Sequence, residues 1–370
     1  RICCIPVPGW GMTMNSSKSI GVGLIGYGFA GKTFHAPLIR SIDGLALRAI
    51  ASSDAAKVRK DFPGMTVFAD PGEMIGSDGI DLVVIATPND SHAPLARLAL
   101  EAGRDVVIDK PFTIDMTEAR ELIALAERHG RLLSVFHNRR WDSDFLAAKF
   151  GVESGVLGKV THFESHIDRF RPEVRDRWRE RSGPGAGVWY DLAPHLIDQT
   201  LCLFGLPDAV QANLFLQRPG AQAVDWAHAV LSYPHHRVIL HASMIAAGGS
   251  PRFLVHGDKG SLVKHGIDQQ EAQLLGGMLP GNQGWGVDLD RMQIWNAAGE
   301  CRGMPTPAGD HRRYYAGIRD ALRGAAPNPV PSIQALAVMG VLEAAIESAA
   351  SGASRAIPLT DSERAVFTES

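Results

Sequence analysis

Gly21-Val22-Gly23-Leu24-Ile25-Gly26-Tyr27-Gly28-Phe29-Ala30-Gly31 is an apolar run that breaks into closely spaced glycines and then into a helical pattern. It reads as a strand turning directly into a helix. Gly26, Gly28 and Gly31 fit G-x-G-x-x-G, in which the first glycine makes the tight turn, the second lets a pyrophosphate approach the backbone and the third allows close helix–strand packing. The first N–H groups of the helix have no preceding turn to bond and face the phosphates. The spacing alone is a weak signal, because 39 glycines in 370 residues produce such intervals by accident. The strand before it and the helix after it give it meaning, and they make Gly26–Gly31, with Tyr27, Phe29 and Ala30 between the glycines, a candidate dinucleotide site.

Outward from this turn, short buried strands alternate with amphipathic helices, the pattern of a parallel α/β sheet. Lys32 to Ile42 reads as the first helix, interrupted by Pro37. Leu45 to Ala51 is the second strand. Leu82-Val83-Val84-Ile85-Ala86 is a continuous apolar run ending at Thr87-Pro88-Asn89, as expected of a strand covered on both faces. Leu95, Leu98, Ala99 and Ala102 follow helical spacing up to Gly103, and Val106-Val107-Ile108 is a strand ending at Asp109-Lys110-Pro111. Ala119, Leu122, Ile123 and Ala126 form a helix stopping at Gly130, and Leu132 to Phe136 completes the unit. Beyond it the segments Val160–Asp168, Ala227–Tyr233 and Val238–Ser243 alternate, as strands with one buried face do. Helices are expected from about Asp191 to Leu203 and from Ser332 to about Ala350. Gly266 to Gly303 is weakly patterned.

The length suits two domains. A net charge of −3, with 45% hydrophobic and 21% charged residues, gives no sign of nucleic-acid or membrane partners. Four cysteines without zinc-ligand spacing point to a reducing compartment, with no disulfide and no metal site. Arg1 to Ser19 lacks an initiating Met and is too broken by Pro and Gly for a signal peptide or membrane span. It is expected to be disordered or foreign to the fold, with Met12 or Met14 as a natural start.

Ligands of open parallel sheets bind outside the carboxyl ends of the strands. An Asp or Glu closing the second strand would bind a ribose 2′-hydroxyl and repel a 2′-phosphate. Here Ser52 and Ser53 stand there, with Lys57, Arg59 and Lys60 beyond, which favours NADP over NAD. Asp54 is the counter-evidence, and a solvated helix face is the plainer account of the lysines, of which Lys57 is retained. Lys110, held before Pro111, can serve as a cationic donor to a reacting oxygen, although a lysine before a proline is often an ordinary surface residue. Pro194 is comfortable in the first turn of a helix, so the helix should begin near Asp191. Asp191 and His195 then share one face, where the carboxylate would orient the imidazole and favour its protonated form. A capping Asp and an unrelated core His account for the spacing equally well. The segment Arg169–Arg181 carries six arginines and reads either as a substrate-covering loop or as a salt-bridged surface. His137, Arg139, Arg140 and Trp141 follow the last strand and are candidates to line the cleft, while Trp141 and Phe145 fit packing between domains. His162 and His166 share a strand face without a third metal ligand.

The glycine turn, Asp109-Lys110-Pro111 and Asp191-x-x-x-His195, in this order, resemble the Gfo/Idh/MocA family, the glucose-fructose oxidoreductase and inositol dehydrogenase group, from about Ile20 to the C-terminal end. The resemblance implies a Rossmann dinucleotide-binding domain over residues 20–137. An α+β domain with an open, mostly antiparallel sheet follows over 138–370, binding substrate and serving homodimer or homotetramer contacts. It further implies that Lys110 and His195 share proton transfer with Asp191 assisting, and that Thr87, Pro88, Asn89 and His92 form the nicotinamide-side segment. Asp109 stands where Glu is commoner. Val135–Asp142 and Trp189–His195 are similar to a bacterial branch that includes NADP-dependent scyllo-inositol dehydrogenases. The expectation is a cytoplasmic NADP-dependent dehydrogenase of a cyclitol or sugar, NAD being the alternative cofactor, with Arg139, Trp189 and Tyr190 as substrate contacts. Reduction of a deoxy or anhydro sugar ketone and oxidation of an aldose at C1 are alternatives. A non-catalytic NADP sensor is disfavoured by the intact proton-transfer residues.

Overall fold

The computed structural model describes residues 19–370, so the expectation for the N-terminal segment falls, save for Ser19, outside the described residues. The first sheet is built from β1 (Ile20–Ile25), β2 (Leu45–Ala51), β3 (Thr66–Phe68), β4 (Leu82–Ile85), β5 (Asp105–Ile108) and β6 (Leu133–Val135). Its order is β3-β2-β1-β4-β5-β6 and every neighbouring pair is parallel. This is the Rossmann arrangement, with its crevice where the order reverses between β1 and β4. All four residues of β4 are buried, as a strand covered on both faces must be. The covering helices are α1 (Ala36–Arg40), α2 (Ala55–Asp61), α3 (Pro71–Gly76), α4 (His92–Glu101) and α5 (Met116–His129). Asp115 starts α5 by accepting the Glu118 N–H, and Gly130, at φ 59°, ends it in the left-handed conformation.

The first helix differs from its sequence reading. A π turn, Gly31–His35, runs into α1, which stops at Arg40 rather than Ile42. Pro37 supplies no N–H and sits at the start of α1, where none is needed.

The second sheet follows α6 (Ser143–Glu153). Its strands are β7 (Val160–Asp168), β8 (Ala209–Phe215), β9 (Trp226–Ser232), β10 (Arg237–Ser243), β11 (Phe253–Gly257), β12 (Gly260–Lys264), β13 (Met292–Asn296) and β14 (Cys301–Met304), with α7 (Gly187–Phe204) after β7 and α8 (Gln270–Leu275) after β12. The order is β14-β13-β12-β11-β7-β10-β9-β8. Only β7 and β10 run parallel, which makes the sheet mixed and mostly antiparallel. Phe163, Ser165 and Ile167 of β7 point into the core, while His162, Glu164 and His166 lie on the other face. There Glu164 accepts from both imidazoles, at 2.6 and 2.7 Å.

The chain ends in α9 (Arg312–Leu322), α10 (Ser332–Ser351) and α11 (Asp361–Glu369). α10 is long and apolar enough by composition to cross a membrane, yet Ala335 to Leu342 are all buried and the helix packs on α7 and β8, the position of a core helix. α9 returns to the first sheet. Tyr314 donates to Ser134 Oγ at 2.9 Å beside β6, and the Tyr315 hydroxyl meets His35 Nδ1 at 2.6 Å.

Candidate active site

At the β1–β4 crevice, Gly26 has φ 93°, and a side chain there would strike the Ala86 carbonyl. A side chain on Gly31 would strike the Gly26 carbonyl, whereas one on Gly28 would meet no atom within 4 Å. The first and third glycines thus let the strand, turn and helix close on each other, and the second leaves open space for a ligand. The cleft beyond holds about 480 Å³ and is bordered by Gly26–Gly28, Ser52, Ser53, Asp54, Lys57, Thr87 and Pro88. The residues present therefore fit a dinucleotide.

The end of β2 arranges its polar groups in a particular way. Asp54 caps α2, accepting the Lys57 N–H at 2.9 Å, and its own N–H bonds Ser52 Oγ at 3.1 Å. The carboxylate is committed to the helix N-terminus rather than standing free at the strand end. Lys57 Nζ crosses to the Tyr27 carbonyl at 3.0 Å, while Arg59 and Lys60 point to solvent.

A second cleft, of about 470 Å³, begins at Phe29 and Ala30 and holds Asp109, Lys110, Arg139, Asp191 and His195. Lys110 leaves the end of β5 through a cis peptide bond to Pro111. Its Nζ donates to the Asp191 carbonyl at 2.7 Å and lies 3.3 Å from Asp191 Oδ1. α7 begins at Gly187, four residues before the expected start, and Pro194 lies inside it. Pro194 offers no N–H to the Tyr190 carbonyl, yet the helix runs on unbroken to Phe204.

The expected Asp191–His195 hydrogen bond is absent. Arg169 and Arg179 approach the same carboxylate at 3.3 and 3.4 Å, so Asp191 serves three cations. Burial pushes its carboxyl up, but Lys110, Arg169 and Arg179 outweigh burial and hold it below the ordinary carboxylate range. His195 is only 6% exposed and its Nδ1 has no partner. Burial, then the charges of Lys110 and Arg139, hold its pKa well below the ordinary 6.5, so the imidazole is neutral rather than protonated.

Other residues land differently from their sequence reading. Trp189 is buried and its Nε1 donates to the Leu342 carbonyl at 3.1 Å, and the Tyr190 hydroxyl turns to the Ile114 carbonyl at 3.4 Å; neither lines the cleft. Trp189 faces α10 and Tyr190 the segment between β5 and α5, on the apolar side of the helix. Asn89 and His92 are buried behind the crevice. Asn89 Nδ2 donates to the Gly185 carbonyl at 3.0 Å, and the His92 ring bridges the Pro111 and Thr87 carbonyls at 2.9 and 3.1 Å, so they brace the strand ends. Arg139 lines the cleft, paired with Asp142 at 2.8 Å and Glu271 at 3.2 Å. Arg140 and Trp141 open instead on a different cavity, where Arg140 pairs with Asp198. His137 is buried with both ring nitrogens unpartnered, and burial pushes its pKa down to about 4. Asp109 accepts the Lys110 N–H at 2.8 Å and lies 3.8 Å from His35 Nε2.

Sequence reasoning missed His35, Phe34 and Glu271. The first two were covered by the helical pattern, and Glu271 lies in the stretch without periodicity. Asp142, Asp268 and His311 form a compact buried group of metal-ligand type, but their atoms bond one another and nearby backbone: Asp142 takes His311 and Asp268 accepts the Ser143 and Gln270 N–H groups.

The fold and paired clefts are those of a nicotinamide-dependent oxidoreductase, and the chain belongs to the Gfo/Idh/MocA oxidoreductase family. The family's NAD-binding Rossmann domain matches residues 20–137 and its C-terminal alpha/beta domain matches 149–359. The chain is 55% identical over 336 residues to the uncharacterized oxidoreductase YdgJ of Escherichia coli, covering 90% of this chain and 97% of that protein. It is 37% identical to the scyllo-inositol 2-dehydrogenase (NADP(+)) IolW of Bacillus subtilis, covering 89% and 94%. A crystal structure from Klebsiella pneumoniae superposes with a TM-score of 0.91 at 60% identity, covering 95% of this chain and 99% of that one.

Proposed function

We propose that this oxidoreductase is an NADP-dependent dehydrogenase that interconverts a secondary alcohol and a ketone on a cyclitol or sugar. The observation that carries the reading is the convergence of Lys110 and Asp191, 81 residues apart, in a cleft that also holds His195 and adjoins the glycine turn. Similarity to a scyllo-inositol 2-dehydrogenase supports the substrate class.

NADP, when bound, supplies the hydride acceptor in oxidation and the hydride donor in reduction. Ser52 and Lys57 would hold its 2′-phosphate, with Asp54 withdrawn to its cap, and Gly26–Gly31 would face the diphosphate. Lys110 has three N–H donors, two of them directed at Asp191, which leaves one for the substrate oxygen. The neutral His195 imidazole takes the hydroxyl proton during oxidation and returns it during reduction. Asp191 holds the ammonium in place, and Arg139 donates to further substrate hydroxyls. The enzyme would act in the cytoplasm as a homodimer or homotetramer without nucleic-acid or membrane partners.

Lys110→Ala and His195→Ala are each expected to lower kcat by about 10²–10⁴-fold, with NADP affinity of His195→Ala near wild type by fluorescence titration. Unchanged turnover in either variant rejects the assigned roles.

A further inference from the structure

Arg169, Arg171, Arg175, Arg177 and Arg179 all line the cleft that holds Lys110 and His195. Carboxylates account for three of them. Arg169 and Arg179 share Asp191, and Arg177 meets Glu180 at 2.7 Å. Among the described residues, Arg171 and Arg175 have no carboxylate partner, and their guanidinium groups donate no hydrogen bond to the protein. The other acids of the cleft are engaged, Asp109 beside His35 and the Lys110 N–H, and Glu271 with Arg139.

The wall carrying these arginines is fixed from behind. Arg218, 4% exposed, pairs with Asp225 at 2.8 Å and Glu180 at 3.0 Å, and its Nη1 donates to the Arg171 and Glu173 carbonyls, both at 3.1 Å. The Arg171 N–H is held by the Met244 carbonyl at 2.8 Å and the Arg175 N–H by Glu180 at 3.0 Å. Burial, then Arg169, Arg175 and Arg177, hold the Arg171 pKa below its ordinary value, a lowering that Asp191 offsets only in part. Arg171 is half-buried and Arg175 exposed at the cleft rim; gathering their charges there costs a modest free energy that a bound oxyanion would offset, and the planar N–H fork suits carboxylate or phosphate. A neutral polyol needs no such wall.

We propose that Arg171 and Arg175 form an oxyanion subsite, so that the alcohol oxidised in this cleft carries a carboxylate or phosphate group, as sugar acids and sugar phosphates do. That the ligand is oxidised as an alcohol rests on the dehydrogenase reading, whereas the anion subsite rests on the arginines alone. Phe29 and Ala30 border the same cleft, so the diphosphate of the dinucleotide is the competing source of the same chemistry.

Calorimetric binding of glucuronate, glucose 6-phosphate and glucose, with and without NADP, tests this without turnover. At least one anionic sugar should bind about tenfold or more tightly than glucose, and the double variant Arg171→Gln/Arg175→Gln should remove most of that advantage. The two side chains make no bond within the protein, so the variant retains its fold. Equal binding of neutral and anionic sugars overturns the proposal. So does a variant that loses NADP affinity while keeping its discrimination between sugars, because the guanidinium groups would then serve the dinucleotide. Full turnover in Lys110→Ala would sink the dehydrogenase reading and leave this measurement standing.

Discussion

Asp191 illustrates how one side chain acquires its role from partners far away in sequence. Its spacing to His195 places both on one helix face, yet three cations capture the carboxylate, and the imidazole is left neutral beside positive charge. A neutral base and a cationic donor on one cleft wall are the pair that alcohol oxidation requires. Ser52 is a second residue whose identity decides chemistry. A carboxylate there would stand free at the end of β2, because the cap of α2 is already taken by Asp54. Ser52→Asp is expected to lower the preference for NADP over NAD by about tenfold or more, through repulsion of the 2′-phosphate. An unaltered ratio of kcat/KM values for the two cofactors would show that Ser52 is not at that phosphate. The residue types of the cleft were legible in the sequence as strand endings, but the partners of Asp191 were not. Pairing across 81 residues leaves no periodic trace.

At the scale of elements, α7 couples helix geometry to the site. Pro194 removes the hydrogen bond to the Tyr190 carbonyl, one residue before the Asp191 carbonyl that receives Lys110. Pro194→Ala restores the missing N–H and removes the ring, at a position where proline costs roughly 3 kcal/mol of helix stability. The variant should keep or raise its Tm while kcat/KM stays within about twofold of wild type, because the restored N–H bonds the Tyr190 carbonyl and leaves the Asp191 carbonyl to Lys110. A fall of about tenfold or more in kcat/KM would show that the proline shapes the Lys110 contact. β1, β2, β4, β5 and β6 of the first sheet and β7, β9 and β10 were readable because continuous or alternating apolar runs record burial on two faces or one, whereas the three-residue β3 and the edge strand β8 were not read. β11 to β14 were not, since they are short and the last two lie in a Gly- and Gln-rich stretch. The start of α7 was misplaced by reading Pro194 as a boundary, when α10 and the second sheet hold the helix together around it.

For the whole molecule, buried neutral imidazoles tie stability to acidity. Burial lowers the pKa values of His137 and His195. Below pH 6.5 the unfolded chain binds protons on these rings while the folded chain does not, so stability falls as pH falls; above pH 6.5 both states are neutral and the effect vanishes. For His137 the loss is roughly 1.4 kcal/mol per pH unit between 6.5 and its folded value of about 4. His137→Leu should therefore reduce the stability lost between pH 7.5 and 5.5 by about 1 kcal/mol in urea denaturation, where paired comparison cancels the carboxyl groups. An identical loss in both proteins would show that His137 does not stay neutral when folded.

The return of α9 to the first sheet has a consequence for how the protein is made. Tyr314 and Tyr315 cover Ser134 and His35, which leave the ribosome some 180 and 280 residues earlier. The amino-terminal half must wait, with that apolar flank bare, until synthesis is almost finished. A chain released before Tyr314 would therefore leave that flank uncovered, the kind of exposed surface from which large proteins aggregate while folding.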